Sequence, residues 1–472
     1  MRPNVRTWIT AGSLFLLSWA IGLWVQHKTQ RWPRGDGPHY AIMVSSLINR
    51  GSFDVKPSYL SGDYIGTFFY QPLDFHIYPQ FFSADSPMWY TYHSFGLPLL
   101  LAPFLLIASQ LHIPALQALQ LGMVFWQALG VVVVYLYTLE LVRRNIAAIF
   151  AAITLLSSLS FLALAGQLFP DILTGTVLIA SLLCFARLRK APENLLPVAI
   201  LSALAGFAPY LHVKTVLMSL TLLSLGLLHW WRNGRSKTML ACLLIPAGVL
   251  LTIYAVTIHA WYGTWLITAP FGNGLLFHFP PGPALLANLF DTSRGLLPNN
   301  PAYLLILAGL AIWWKRDRDS ALLTLVVLLP SLLFQSTFAD WAGGCSPAGG
   351  RYLMTYVFCA LPAAAFLFAR LGWLARGLLV VPIVAGAIIG VYNTRMDFEC
   401  SYAGDINPML VSFFETHDIE PEFAIPIFAQ DLTLNDGTAE QLIVGIVVAL
   451  AVIAAGIGLA RRGTGPAATS AD

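Results

Sequence analysis

The chain has 472 residues, 57% of them hydrophobic and only 10% charged, and its mean hydropathy is +0.70. A water-soluble domain carries roughly a quarter of its residues as charges, so this composition excludes a soluble globular enzyme and requires much of the surface to face lipid. The formal net charge of +3 is small, but it conceals a strong separation of charge between loops.

A membrane span needs roughly 20 apolar residues to cross about 30 Å of hydrocarbon. Twelve segments qualify in chain order: 7–26, 117–141, 146–166, 171–186, 195–211, 215–231, 240–261, 301–314, 321–338, 352–369, 376–393 and 441–460. The 301–314 stretch is short and is expected to extend into its flanks. Backbone amides find no water inside a bilayer, so each segment is expected to be helical. The fold class is therefore an all-α polytopic membrane bundle of about 12–13 helices, with a long first outer loop that carries amphipathic juxtamembrane helices.

Orientation follows from Lys and Arg. With the N-terminus in the cytoplasm and twelve alternating spans, 17 of the 26 basic residues but only 5 of the 23 acidic ones fall inside. The inner loops then carry a net +12 and the outer ones −9. Both termini are expected in the cytoplasm of a bacterial-type inner membrane. The first span is read as retained, because no small-residue cleavage site follows it before Lys28. The apolar stretch 96–111, with Pro98 and Pro103, opposes the scheme: if it crossed, every later basic loop would move outside. It is expected to lie in the interface or to dip and return, with a thirteenth span as the alternative.

The remaining loops divide the chain into a module 1–393, an acidic outer loop 394–440 and a last span with its tail, 441–472. Cys345 and Cys400 fall in outer loops, where they either pair or remain two thiols. Cys184, Cys242 and Cys359 fall within spans.

Candidate chemistry concentrates on the outer side. Asp36 stands between two glycines before Pro38, which suits an N-cap followed by an amphipathic helix of about 13 residues, Pro38–Arg50, resting on the membrane. Its apolar side includes Ile42, Met43, Leu47 and Ile48. Asp36 is thus either a helix cap or a functional acid. The same loop is dense in aromatic residues, which suit a membrane interface or the walls of a sugar or lipid site. Asp171 opens the fourth span, where it either balances the helix dipole or acts as an ionisable group at the bundle rim. His212 and Lys214 occupy an outer turn between spans, and Lys214 either snorkels or contacts phosphate. Arg294 and Arg351 precede later spans on the same side. Three cations converging there would suit a lipid phosphate.

These residues carry a resemblance. The run GDGPHY in the first outer loop, its exit HSFGLPLLLAPF, and the later YGTWL, SRGLLPNNPAYL and WAGGCSPAGGRYL are together similar, in order and sidedness, to the GT-C superfamily of membrane glycosyltransferases. The similarity is to the bacterial group akin to protein O-mannosyltransferases and the lipid A aminoarabinose transferase, and it runs from about residue 7 to 370. It implies an inverting glycosyltransferase that moves a hexosyl or pentosyl group from a polyprenyl-phosphate donor to a glycan, lipid or protein hydroxyl. Asp36 would then be the catalytic base and Asp171 a second acid. Lys214, Arg351, Arg294 and His212 would bind the donor phosphate, and His39, Tyr40, His93 and Trp341 the substrates. Many such enzymes have Asp-Glu where this chain has Asp36-Gly37, which argues against a paired-carboxylate metal site. No metal ligands are assigned and no cofactor is called for; a divalent metal is compatible with the residues but not indicated by them. No nucleic-acid partner is expected. The competing readings are a lipid or glycan transporter or flippase, an O-antigen ligase or polymerase, and a non-catalytic assembly factor. Transporters tend to carry internal repeats, and none is evident here.

Overall fold

The computed structural model describes residues 4–29, 35–64, 87–91, 93–233, 236–265, 277–292, 294–338, 350–394, 427–429, 431–435 and 438–461. Trp341, Cys345, Cys400, most of the first loop's aromatic residues and most of the acidic loop lie outside these. The helices, in chain order, are α1 (Val5–Thr29), α2 (Gly37–Arg50), α3 (Lys56–Ser61), α4 (Gly96–Gln110), α5 (Ala115–Val142), α6 (Asn145–Leu156), α7 (Leu159–Ala163), α8 (Asp171–Lys190), α9 (Leu195–Leu211), α10 (Thr215–Arg232) and α11 (Lys237–Tyr262). There follow α12 (Pro281–Phe290), α13 (Leu296–Asn299), α14 (Leu304–Arg316), α15 (Arg318–Gln335), α16 (Met354–Ala360), α17 (Pro362–Arg370), α18 (Trp373–Leu378), α19 (Val380–Thr394) and α20 (Ala439–Arg461). Among the described residues the only extended pairing is an isolated antiparallel bridge between Phe428 and Leu434.

Every one of the twelve apolar segments is helical. Among the described residues seven helical segments, one of them α18 with α19, are long and apolar enough to cross a membrane, or eight if the bent pair Arg351–Ala360 and Pro362–Arg370 forms one span. Their breaks have local causes. Between α6 and α7 the Ser158 hydroxyl caps the second piece, accepting from Phe161 N at 3.3 Å. The 47° bend between α16 and α17 falls at Pro362, which has no N–H for the helical ladder.

Packing between helices relies on small residues, because lipid tails are as apolar as leucine and offer little hydrophobic drive to association. Gly309 of α14 presses on the Ala363 carbonyl of α17, and Gly456 of α20 on that of Ala308, with no room for a Cβ at either.

Two contacts give the relative direction of α1 and α5, the helices that flank the first loop and α4. Gly22, near the end of α1, packs on Val124 near the start of α5. Thr10, near the start of α1, meets the Tyr135 hydroxyl near the end of α5. The two helices therefore run antiparallel, so the chain between them leaves α1 and enters α5 at the same end of the bundle, as a non-crossing α4 requires. At 15 residues α4 is about 22 Å long, shorter than the hydrocarbon core. It continues as a helix through Pro103, so it is not the broken segment that the two prolines suggested.

Charged side chains cluster at both ends of the bundle. At one end of the bundle Glu140 pairs with Lys190 and Arg187, Arg189 with Asp319, Arg144 donates to the Ala369 carbonyl, and Lys315 donates to that of Ala460. The opposite end of the bundle carries Asp171, Lys214 and Arg351.

The juxtamembrane helix α2 starts and stops where expected, with Gly51 closing it in the left-handed region. It does not rest on a surface with one face open. Every residue from Gly37 to Ser46 is buried, and only Leu47 and Ile48 of the expected apolar side are partly open. The reason lies in what covers it. α4 packs along it, Thr91 donates to Met43 Sδ at 3.4 Å, and the Ser46 hydroxyl donates to the Asp54 carbonyl at 2.7 Å. Asp54 in turn accepts from the backbone of Lys56 and Trp89, which folds the loop back over the helix.

Candidate active site

Four helix ends meet at one end of the bundle. Asp36 precedes α2, Asp171 opens α8, Lys214 lies between α9 and α10, and Arg351 starts the short turn before α16. They form one continuous chain of ion pairs. Lys214 Nζ donates to Asp171 Oδ1 at 2.8 Å, Arg351 Nε to Asp171 Oδ2 at 2.9 Å, and Arg351 Nη2 to Asp36 Oδ2 at 2.8 Å. Asp171 and Lys214 are fully buried, Arg351 is 3% exposed, and the Asp36 side chain is 32% exposed. The chain of charges thus runs from the bundle interior to a carboxylate that reaches the surface.

This geometry decides between the local readings of three residues. The Asp36 side chain makes no capping bond. Its backbone carbonyl starts α2, while its carboxylate reaches 315 positions along the sequence to Arg351. Asp171 does sit in the first turn of α8, but both its oxygens take charged donors from other segments. Lys214 does not snorkel. Its ammonium is enclosed, donates also to the Tyr352 carbonyl at 3.3 Å, and lies 5.0 Å from the centre of the Tyr352 ring.

The surroundings fix Arg351. Its guanidinium lies 3.7 Å from the centre of the Phe169 ring, a stacking geometry that suits a planar cation. The Thr355 hydroxyl donates to the Asp171 carbonyl, and the Ser331 hydroxyl donates to that of Lys214 at 2.6 Å. Phe169, Tyr352 and Ser331 were not anticipated as site residues. Only adjacency hinted at the first two, since they stand within two positions of Asp171 and Arg351.

His39 and His93 stack beside Asp36, with ring centres 5.1 Å apart, and His93 also meets the Tyr40 ring. His39 Nδ1 and the Tyr59 hydroxyl share a hydrogen bond of 2.5 Å. Burial works against ionisation of Asp36, yet the Arg351 guanidinium, seconded by His93, wins and holds the carboxyl below its usual range. Burial, and then the neighbouring His93, push the His39 imidazole down to about 3, against the pull of Asp36. Burial and Lys214 do the same to His212, also down to about 3. The site at neutral pH is one ionised, partly open carboxylate beside neutral imidazoles.

The other expected residues are close but differently employed. His212 stands edge-on to Tyr352, ring centres 6.1 Å apart, and its Nδ1 accepts from Lys214 N at 3.3 Å. Arg294 is buried, and its carbonyl accepts from Gly350 N at 2.6 Å, next to Arg351. Of the three cations expected to converge, Lys214 and Arg351 share one carboxylate and Arg294 borders them through its backbone. Trp341 lies outside the described residues. Among the described residues no three His, Cys, Asp or Glu side chains group as metal ligands.

No protein-family profile matches the chain, and no curated protein matches it in sequence. Solved structures do. The aminoarabinose transferase ArnT from Cupriavidus metallidurans, solved bound to undecaprenyl phosphate, superposes with a TM-score of 0.52 at 15% identity, covering 98% of this chain and 73% of ArnT. The archaeal oligosaccharyltransferase AglB from Archaeoglobus fulgidus, in complex with an inhibitory peptide and a dolichol-phosphate, gives 0.45 at 14% identity. There the match covers 89% of this chain but only 59% of the longer protein.

Proposed function

Given that the chain has the GT-C fold of membrane glycosyltransferases, we propose that it transfers a sugar, with inversion, from a polyprenyl-phosphate donor to an acceptor hydroxyl at the outer face of a cytoplasmic membrane. The observation that carries the reading is Arg351, one guanidinium held by a buried carboxylate on one side and by the surface-reaching Asp36 on the other.

The chemistry needs little more. The acceptor oxygen attacks the anomeric carbon, the bond from that carbon to the phosphate oxygen breaks, and polyprenyl phosphate departs with the electron pair. Its phosphate is already acidic, so no proton donor is required, only a cation for the developing charge. A guanidinium suits phosphate oxygens, and a stacked, buried one is already aimed. Asp36 takes the acceptor proton, a contribution of about 10²–10⁴ in rate for a positioned base. The Asp171–Lys214 pair holds Arg351 rather than meeting substrate, because both members are enclosed and bonded to one another. ArnT, which shares the fold, was solved with undecaprenyl phosphate bound, and this supports a lipid-phosphate donor here. The acceptor class stays as broad as a glycan, lipid or protein hydroxyl.

The test is purified protein incubated with radiolabelled lipid-linked sugars and envelope acceptors. Transfer is expected, and Asp36→Asn should lose it by at least about a hundredfold while eluting as folded protein. Translocation without transfer would identify a flippase, and full transfer by Asp36→Asn would remove Asp36 from the mechanism.

A further inference from the structure

We propose that Asp291 is a positioning residue for the donor site, acting on Arg351 through the backbone and tying it to the segment that precedes the last helix. This rests on the reading of Arg351 as the phosphate contact. Asp291 follows α12 and is fully buried. An enclosed carboxylate is costly unless both oxygens find donors. Here Oδ1 accepts from Arg294 N at 2.7 Å and Oδ2 from Phe428 N at 3.1 Å, two N–H groups that approach from different parts of the chain. Its own carbonyl accepts from Gly295 N at 2.7 Å, which closes a turn around Arg294.

The turn is coupled directly to the site. The Arg294 carbonyl accepts from Gly350 N at 2.6 Å, and Gly350 is the residue before Arg351. Gly350 has φ +71, and a Cβ there would lie 2.8 Å from Leu296 Cα, so the two segments touch backbone to backbone. Its carbonyl then accepts from Leu353 N at 2.9 Å, starting the turn from which Arg351 reaches both carboxylates. Asp291 therefore sets Arg294, Arg294 sets Gly350, and Gly350 sets the origin of the guanidinium. On the other side the segment around Phe428 is held to the start of α20, where the Thr438 hydroxyl donates to the Ile427 carbonyl at 3.1 Å. An amide in place of the carboxylate would keep one acceptor and turn an NH2 group toward the other N–H. A carboxylate is thus the side chain that can hold both segments at once.

The test uses the full-length chain in detergent and undecaprenyl phosphate itself as the probe, with affinity read by titration, so that no sugar or acceptor need be known. Asp291→Asn and Arg351→Lys are compared singly and together. Arg351→Lys should weaken binding roughly tenfold or more, Asp291→Asn several-fold, and the double variant should bind within about twofold of Arg351→Lys, because a residue acting through Arg351 has nothing left to act on. If the two losses multiply, or if Asp291→Asn binds as wild type while Arg351→Lys does not, the inference is overturned and Arg351 stands. If Arg351→Lys binds as wild type, the phosphate role of Arg351 falls instead. Should Asp291→Asn fail to elute as a folded species, Gly350→Ala interrupts the same relay at its far end and is judged by the same comparison.

Discussion

Replacing Asp171 by asparagine is the sharpest probe of the ion-pair chain. In the folded protein Lys214 and Arg351 contribute two positive charges and Asp171 and Asp36 two negative ones, so the group is neutral. The Asp171→Asn substitution would leave one uncompensated positive charge on a fully buried ammonium and would remove two charge-assisted bonds. Breaking a buried pair in this way costs about 3–5 kcal/mol, whereas replacing both partners by neutral groups is often nearly neutral. Asp171→Asn should therefore melt lower than wild type by roughly 5 °C. Adding Lys214→Met, which restores neutrality and fills the space with an apolar chain, should recover at least half of the loss. The assay is tryptophan fluorescence of the purified protein in detergent during heating, with gel filtration to confirm a single species. If Asp171→Asn melts with wild type, or if the double variant melts below both single ones, the charge balance derived from the geometry is wrong.

Other outcomes follow from the same site. Arg351→Lys should lose transfer by at least about tenfold, because one compact ammonium cannot reproduce Nε on Asp171 together with Nη2 on Asp36; measured sugar transfer at saturating donor checks this. Acid should destabilise the protein well before carboxylates titrate. His39 sits at about 3 when folded against 6.5 when unfolded, so its contribution is fully present above pH 6.5 and is lost as pH falls toward 3. The slope is at most about 1.4 kcal/mol per pH unit, and His39→Gln should flatten the melting curve between about pH 5 and 6.5. Asp36, depressed below 3.8, adds its own loss only at lower pH. Gly309→Val has no space against the Ala363 carbonyl and should cost at least about 2 kcal/mol through overpacking, read as a lower melting point with Arg351 chemistry otherwise intact.

Much of the architecture was legible because it depends on short-range composition. Every apolar run became a helix, and the distribution of Lys and Arg correctly grouped Asp36, Asp171, Lys214 and Arg351 at one end. It also argued for a non-crossing 96–111, since only that choice keeps the basic loops together, and the antiparallel course of α1 and α5 is compatible with it. What the sequence did not disclose is pairing across long separations. Nothing near Asp36 announces a partner 315 residues away, and nothing near Lys214 shows that its charge is taken by Asp171. The enclosure of α2 was hidden for a related reason. Helical periodicity reports a partial apolar face, but burial of His39, Ser45 and Ser46 depends on the loop around Asp54 folding back over them. Asp291 escaped notice because its donors are backbone N–H groups, which leave no pattern of side chains to read.

The shortness of α4 has a consequence for the lipid around the site. Leu106, Ile107 and Leu111 remain open on its outer surface, and a helix of about 22 Å lying within one leaflet takes up area there and none in the other. Bilayers answer such one-sided wedges by thinning or tilting locally. Beside α4 the membrane should be pinched, which would bring an amphiphile's head group inward toward Asp36 without any movement of the protein.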